Sequence, residues 1–502
     1  MRALCGALAL AVACLIDAPL ALAGPTDPVT IVPAEDAQGP TQSPGTRRPE
    51  NLIPPYVENE FLVSGTAQIY TFEQTPRRGV PIPGRTDAFP NGLERYTTRI
   101  ITRIPEDLVR FNGTVVIEWF NSTVGFDTAP AWDTSAEYFA REGYAYVGVT
   151  NSTTSIDFMK AGCLPPLPGL PPTCGTRYAG LSFAENGSAY DVLSQIATLM
   201  RGPDNPLPIA GRVERVYHVG QSQQGGSVVT YASNFHFPGN DGYFIQAATG
   251  ARPINSQADC ASAGARAYPQ CTPRLQGAAA LVRTDLPVPV VQSITETDLA
   301  SLFGPVGRQP ATPTFRYYEM AGTSHNPVFK NLSFFDLPID LTTFCSLPFN
   351  TTADGPVFGS FLINAMWQNM ERQVQLGVQP PTAPLVQLAG DGITIARDQV
   401  GNALGGLRLP IMDVPLGTYG PVNQVAPGLP PALQGQANLF CRLSGTFARF
   451  DFPMLIALYT DRATFEQRYI DRTNALQDAG FLLPEDAIRD LNAVAITPPA
   501  PN

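Results

Sequence analysis

Residues 220–226 read Gly-Gln-Ser-Gln-Gln-Gly-Gly, directly after a strand-like segment, 215–219, and directly before a helix-like one, 227–235. Strand, Gly-x-Ser, helix is the context of a nucleophile elbow. The sharp turn lifts the serine hydroxyl clear of the sheet and sets it beside a helix N-terminus, where free N–H groups favour developing negative charge. Ser222 is therefore the candidate nucleophile. The spacing departs from Gly-x-Ser-x-Gly: Gln224 stands two residues after the serine and Gly225 follows it. The Gln224 side chain must then point away from the adjacent strand. Taken alone, the run suits an ordinary glycine-rich turn between strand and helix equally well.

A serine hydroxyl needs a base, and the chain offers three histidines, His218, His236 and His325. His218 lies within the strand before the elbow and His236 on the helix after it, so both read as structural. His325 follows a predicted strand, 314–320, in a loop at the sheet's carboxyl edge, where ligands and catalytic side chains gather. The third member should be a carboxylate between serine and histidine in the chain. The strand 288–294 runs into Thr295-Glu296-Thr297-Asp298. Asp298 is the chosen acid, after the strand has opened into its loop; Glu296 is the alternate, and the one not used caps the following helix. Backbone N–H groups for an oxyanion would come from Gln223 and from the loop after strand 114–120, most simply Asn121 or Ser122.

These residues need a parallel sheet to present them. Strands are predicted at 61–70, 96–104, 114–120, 144–149, 215–219, 243–247, 288–294 and 314–320, with helices near 131–142, 189–200 and 227–235 between them. Such alternation implies an α/β fold, a mostly parallel sheet covered on both faces. The division expected is 24–55 as an extended lead-in, 56–330 as the core, and 331–502 as a C-terminal cap or subdomain packed on it. Within that last part Ile363, Trp367, Met370 and Val374 mark an amphipathic helix and 463–479 a second one. Residues 380–440 show no period. Trp119, Trp132 and Trp367 read as core more readily than as cleft lining.

The first residues, Met1-Arg2, an apolar run to Ile16 and then Ala21-Leu22-Ala23, describe a secretory signal peptide over 1–23. No later run is long and apolar enough for a membrane span. Removing Cys5 and Cys14 with that leader leaves six cysteines, an even number that in an exported chain favours disulfides. Proximity pairs Cys163 with Cys174, Cys260 with Cys271, and Cys345 with Cys441. No Cys-x-x-Cys and no histidine pair at ligand spacing occurs, so neither metal nor cofactor is expected. With 43 acidic against 32 basic residues and a net charge of −11, the chain is a poor nucleic-acid partner.

The blocks 113–121 (Gly-Thr-Val-Val-Ile-Glu-Trp-Phe-Asn), 220–225, 292–298 (Gln-Ser-Ile-Thr-Glu-Thr-Asp), 321–325 (Ala-Gly-Thr-Ser-His), 401–403 and 405–408 resemble the bacterial proteins called α/β-hydrolase domain-containing. The likeness runs over most of the mature chain. It implies the α/β-hydrolase fold and a triad on Ser222, Asp298 or Glu296, and His325; it implies no particular substrate. The expected activity is cleavage of carboxylic esters, small or polymeric, by a secreted serine hydrolase. The alternatives are an amidase or peptidase with the same triad, and a non-catalytic binding protein on a decayed hydrolase fold.

Overall fold

The computed structural model describes residues 24, 26–34, 39–72, 88–163, 173–183, 186–254, 281–325, 331–334, 337–340, 344–346 and 359–496. The expected leader, 1–23, lies outside them, as do Cys260 and Cys271.

Nine strands form the main sheet: β1 (Thr30–Pro33), β2 (Tyr56–Phe72), β3 (Ala88–Pro105), β4 (Thr114–Trp119), β5 (Ala145–Val149), β6 (Arg215–Gln221), β7 (Gly242–Gln246), β8 (Val290–Thr295) and β9 (Phe315–Met320). Their order is β1-β2-β3-β5-β4-β6-β7-β8-β9. The first three and β5 pair antiparallel, and β5 through β9 pair parallel. The predicted segments 61–70 and 96–104 are the middles of the long β2 and β3, which pair along nearly their whole length. Strands β4, β5, β7, β8 and β9 are buried at every position. A parallel sheet covered on both faces demands that pattern, and it explains why these segments read as apolar runs instead of alternating ones.

Alternate residues of each strand feed different cores, because successive side chains point to opposite faces. Helix α2 (Thr153–Lys160) follows β5, and Val115 and Ile117 join a core with helices α3 (Ala189–Arg201) and α4 (Gln223–Phe235). Val116 joins the other, with α1 (Pro130–Glu142) and α5 (Ser360–Leu376). Trp119, Trp132 and Trp367 are all buried to within 1%. One charged residue interrupts the apolar run of β4. Glu118 is fully buried, and its two carboxylate oxygens accept the Ala131 and Trp132 N–H groups at 2.8 Å each, while the Tyr146 hydroxyl donates at 2.8 Å. It thus satisfies the free donors at the start of α1, although burial pushes its carboxyl up to about 8.

Residues beyond 330 pack into both cores. Helix α5 supplies Phe361, Leu362, Met366, Trp367 and Met370 to the second core, and Val386, Ile395, Ala403 and Met412 reach the first. Residues 386–405 form an irregular hairpin, with bridges Val386 to Gly405, Leu388 to Ile395 and Arg397 to Ala403. Leu407 then continues the sheet beyond β9 by a parallel bridge to Met320. Gly405 and Gly406 have φ of 71° and 73°, and a Cβ on Gly406 would stand 2.9 Å from the Glu319 carbonyl oxygen. The chain therefore requires glycine where it comes down onto the sheet.

Two small hairpins, β10 (Asn331–Phe334) with β11 (Leu337–Asp340) and β12 (Gly417–Gly420) with β13 (Thr446–Arg449), lie apart from the main sheet. Helices α6 (Pro410–Asp413), α7 (Pro431–Leu443), α8 (Phe452–Tyr459), α9 (Arg462–Asp478) and α10 (Pro484–Ile496) complete the C-terminal part. Cys163 is bonded to Cys174 and Cys345 to Cys441, with Cα separations of 5.3 and 5.6 Å. Among the described residues, no helix is long and apolar enough to cross a membrane.

Candidate active site

The strand order reverses at β4, which has β5 on one side and β6 on the other. The loops leaving the carboxyl ends of β4 and β6 therefore diverge and open a crevice. Ser222 sits there, between the end of β6 and the first residue of α4, with φ 57° and ψ −116°. A non-glycine residue held in that region costs about 1–3 kcal/mol and persists only where the surroundings enforce it. The enforcing contacts are tight: a Cβ on Gly220 would lie 2.3 Å from the Gln224 carbonyl oxygen, and one on Gly225 2.7 Å from both the Gln246 oxygen and the Ala248 Cβ.

The displaced glycine is thereby explained. Gly225 makes the close approach to the end of β7. Gln224 is buried and turns the other way, its Nε2 donating to Asn151 Oδ1 beyond β5 at 3.0 Å.

The Ser222 Oγ lies 2.7 Å from His325 Nε2, and His325 Nδ1 lies 2.5 Å from Asp298 Oδ1. Asp298 is fully buried, and its second oxygen accepts from the Thr295 backbone N–H at 2.8 Å and the Thr295 hydroxyl at 2.7 Å. The carboxylate is thus oriented from both sides, as an imidazole-directing acid must be. Gln221, one residue before the serine, donates through Nε2 to the His325 carbonyl at 2.9 Å. Sequence reasoning passed over Gln221, although a buried glutamine at the end of an apolar strand is itself a signal. The alternate acid, Glu296, does not face His325. It is buried beneath the same loop, accepting the Gly322 N–H at 2.6 Å and pairing with Arg397 at 2.5 Å.

The expected oxyanion donors are divided by the geometry. Gln223 begins α4, and its N–H meets no acceptor among the described residues. Asn121 requires a correction: its backbone N–H donates to the Thr128 carbonyl at 3.0 Å, in a bridge that closes the 121–128 loop, so it is not free to bind an oxyanion. Its side chain instead fastens that loop to the elbow, Nδ2 donating to the Gln221 carbonyl at 2.9 Å. Ser122, the other residue considered, has a backbone N–H with no acceptor among the described residues. Its hydroxyl lies 3.2 Å from Gln223 Oε1, which keeps the two N–H groups on adjoining segments. The far end of the loop is anchored by Asp127, whose Oδ2 takes hydrogen bonds from the fully buried Arg99 at 2.7 Å and from Thr150 Oγ1 at 2.5 Å.

His218 and His236 make their hydrogen bonds to Trp119, Asn240 and Tyr243, outside the chain from Asp298 to Ser222. Trp119 Nε1 donates to His218 Nδ1 at 3.0 Å, so the opposite nitrogen carries the hydrogen and donates to Asn240 Oδ1, also at 3.0 Å. Burial drives the imidazole down from 6.5 to about 3, and burial likewise lowers His236, to about 4.

The unfolded chain then binds more protons at His218 than the folded one between pH 6.5 and about 3. This group's contribution to stability is complete above that window and is lost as pH falls through it, to about 5 kcal/mol at its acid end. His218→Gln, which keeps one acceptor and one donor but cannot titrate, is expected to lose Tm less steeply than the parent over the same acid range. Parallel melting curves that fall equally steeply would contradict the neutral, buried assignment.

Among the described residues no group of three or more His, Cys, Asp or Glu could hold a metal ion. What the arrangement can do is generate a serine nucleophile beside two backbone donors that no described acceptor engages.

A family model described as alpha/beta hydrolase domain matches residues 28–491 of the chain. No curated protein matches the sequence. Among solved structures the chain is similar to a putative dienelactone hydrolase from Klebsiella pneumoniae (14% identity over 51% of this chain and 85% of that one, TM-score 0.25). It is also similar to an α/β serine hydrolase without lid from Xanthomonas campestris (12% identity, 46% and 80% covered, TM-score 0.27). A third is a Pyrococcus furiosus esterase (11% identity, 56% and 88% covered, TM-score 0.28).

Proposed function

The chain belongs to the α/β-hydrolase domain family, and from that premise we propose that it is a secreted serine hydrolase that cleaves carboxylic esters through an acyl-enzyme on Ser222. The observation that carries this reading is the unbroken hydrogen-bonded chain from Asp298 through His325 to Ser222, at 2.5 and 2.7 Å. Each member sits at the carboxyl end of a different strand of the parallel sheet.

In the proposed reaction His325 Nε2 takes the hydroxyl proton as Ser222 Oγ attacks the ester carbonyl. Asp298 holds the Nδ1–H tautomer and stabilises the imidazolium that forms. The N–H groups of Gln223 and Ser122 would receive the oxyanion, the first reinforced by the start of α4; one such donor is worth about 3 kcal/mol in the barrier. His325 returns the proton to the departing alkoxide, which leaves as the alcohol. It then activates water to release the acid and free Ser222.

Secretion is supported by the basic start, apolar run and Ala-x-Ala site of residues 1–23. The two disulfides, Cys163 to Cys174 and Cys345 to Cys441, fit an oxidising compartment.

A panel of p-nitrophenyl esters of rising acyl length, run beside the matching p-nitroanilides, tests the substrate class. Turnover of esters with a preferred chain length, and none of the anilides, is the expected result. Anilide turnover at the ester rate would replace the esterase reading with an amidase one.

A further inference from the structure

Beneath the loop that presents His325 lies a second carboxylate that the triad does not use. Glu296 is fully buried, two residues before Asp298, and each of its oxygens is engaged differently. Oε2 accepts the backbone N–H of Gly322 at 2.6 Å, three residues before His325 in the turn that leaves β9. Oε1 pairs with the Arg397 guanidinium at 2.5 Å.

Arg397 comes from the C-terminal hairpin 386–405, more than 70 positions beyond the histidine in sequence. That hairpin is bound to the sheet edge below the same loop. The Leu407 N–H donates to the Glu319 carbonyl at 2.7 Å and the Ala321 N–H to the Leu407 carbonyl at 2.9 Å. Glu319 accepts the Val386 N–H at 2.8 Å. The acid loop is held from the same region, with Thr297 Oγ1 donating to the Pro421 carbonyl at 2.5 Å and Arg442 to the Ser301 carbonyl at 2.6 Å.

A buried carboxylate paired directly with one guanidinium, here Arg397, with Arg408 acting only at longer range, is a demanding arrangement. Removing the cation leaves an unpaired charge in a low-dielectric site and is strongly destabilising locally, whereas neutralising both partners removes the problem. Glu296 Oε2 holds Gly322, which starts the turn that ends in His325, and an unpaired charge on the other oxygen would pull the carboxylate away from that grip. We infer that Arg397 is a positioning residue for His325, acting through Glu296 and Gly322, so that the C-terminal hairpin is a working part of the catalytic centre. This rests on the hydrolase reading above for its kinetic consequences, but not for its geometric one.

The test uses the full mature chain in four forms: wild type, Arg397→Met, Arg397→Lys, and the double variant Glu296→Gln with Arg397→Met. Two readouts are taken, steady-state ester kinetics and the far-downfield proton resonance of the His325 Nδ1–H on Asp298. Arg397→Met is expected to lower kcat roughly tenfold to a hundredfold with KM within about twofold, because the base is misplaced while the substrate cleft is not. Its downfield resonance should broaden or vanish.

Arg397→Lys restores the charge, and the double variant removes the unpaired one while the introduced amide oxygen can still accept from Gly322; both should regain most of the activity and the resonance. Equal kcat and an unchanged resonance in Arg397→Met would overturn the inference, as would a double variant no better than the single one. The resonance is read without substrate, so its loss in Arg397→Met supports the positioning role even if no ester is turned over.

Discussion

Ser222→Ala is expected to lower kcat for p-nitrophenyl esters by roughly 10⁴- to 10⁶-fold while leaving Tm within about 2 °C of the parent. The kinetic loss follows because, among the described residues, no other hydroxyl stands against His325 Nε2, where Ser222 Oγ lies at 2.7 Å. Alanine preserves the turn: it meets the same φ of 57° and the same Gly220 and Gly225 contacts, and the backbone N–H at this position still donates to the Gln246 carbonyl at 2.9 Å. Activity and stability are therefore expected to separate cleanly. A variant that lost both together would point to a structural serine in a strained turn, and one that kept turnover would remove Ser222 from the chemistry.

The second large effect is expected at Asp298. Asp298→Asn should cost about 10⁴-fold in kcat with the fold intact, since an amide in that place stabilises the wrong imidazole tautomer and cannot balance the imidazolium. The surroundings sharpen the expectation. One carboxylate oxygen already receives two donors from Thr295, so an asparagine keeps its oxygen there and turns its NH₂ toward His325 Nδ1. That nitrogen must then become an acceptor, and its hydrogen moves to Nε2, where a general base needs a lone pair. Glu296→Gln, two residues away, should change kcat only a few-fold, because the glutamine oxygen still accepts from Gly322 and the part-exposed Arg397 turns to solvent. Reversed effects at the two positions would exchange the acid between them.

Much of this centre could be read from the chain because its parts lie at strand ends, and buried parallel strands announce themselves as apolar runs. The order serine, acid, histidine then left few candidates in a protein with three histidines. Proximity in sequence likewise pointed to the Cys163 to Cys174 and Cys345 to Cys441 bridges.

The misplaced donor at Asn121 was not legible for a definite reason. Whether a backbone N–H is free depends on a partner seven residues on, Thr128, and loop closure of that kind leaves no periodic trace. The same holds for 386–407, which reaches the sheet through isolated bridges and glycine turns, so it looks structureless in sequence while adding to the core. Gln224 appeared as a defect in the elbow only because the glycine's task, close approach to β7, had moved to Gly225. Glu118 and Glu296 were visible as charges in or beside apolar strands. Their partners, the start of α1 and Arg397, are tertiary facts.

The central claim is a covalent acyl intermediate on Ser222, and one measurement addresses it directly. Wild-type protein mixed with a p-nitrophenyl ester, quenched in acid during the first turnover and digested, should carry the acyl group on the peptide that contains Ser222. An unmodified Ser222 peptide in a sample actively releasing p-nitrophenol, or the acyl group on another residue, would contradict the account.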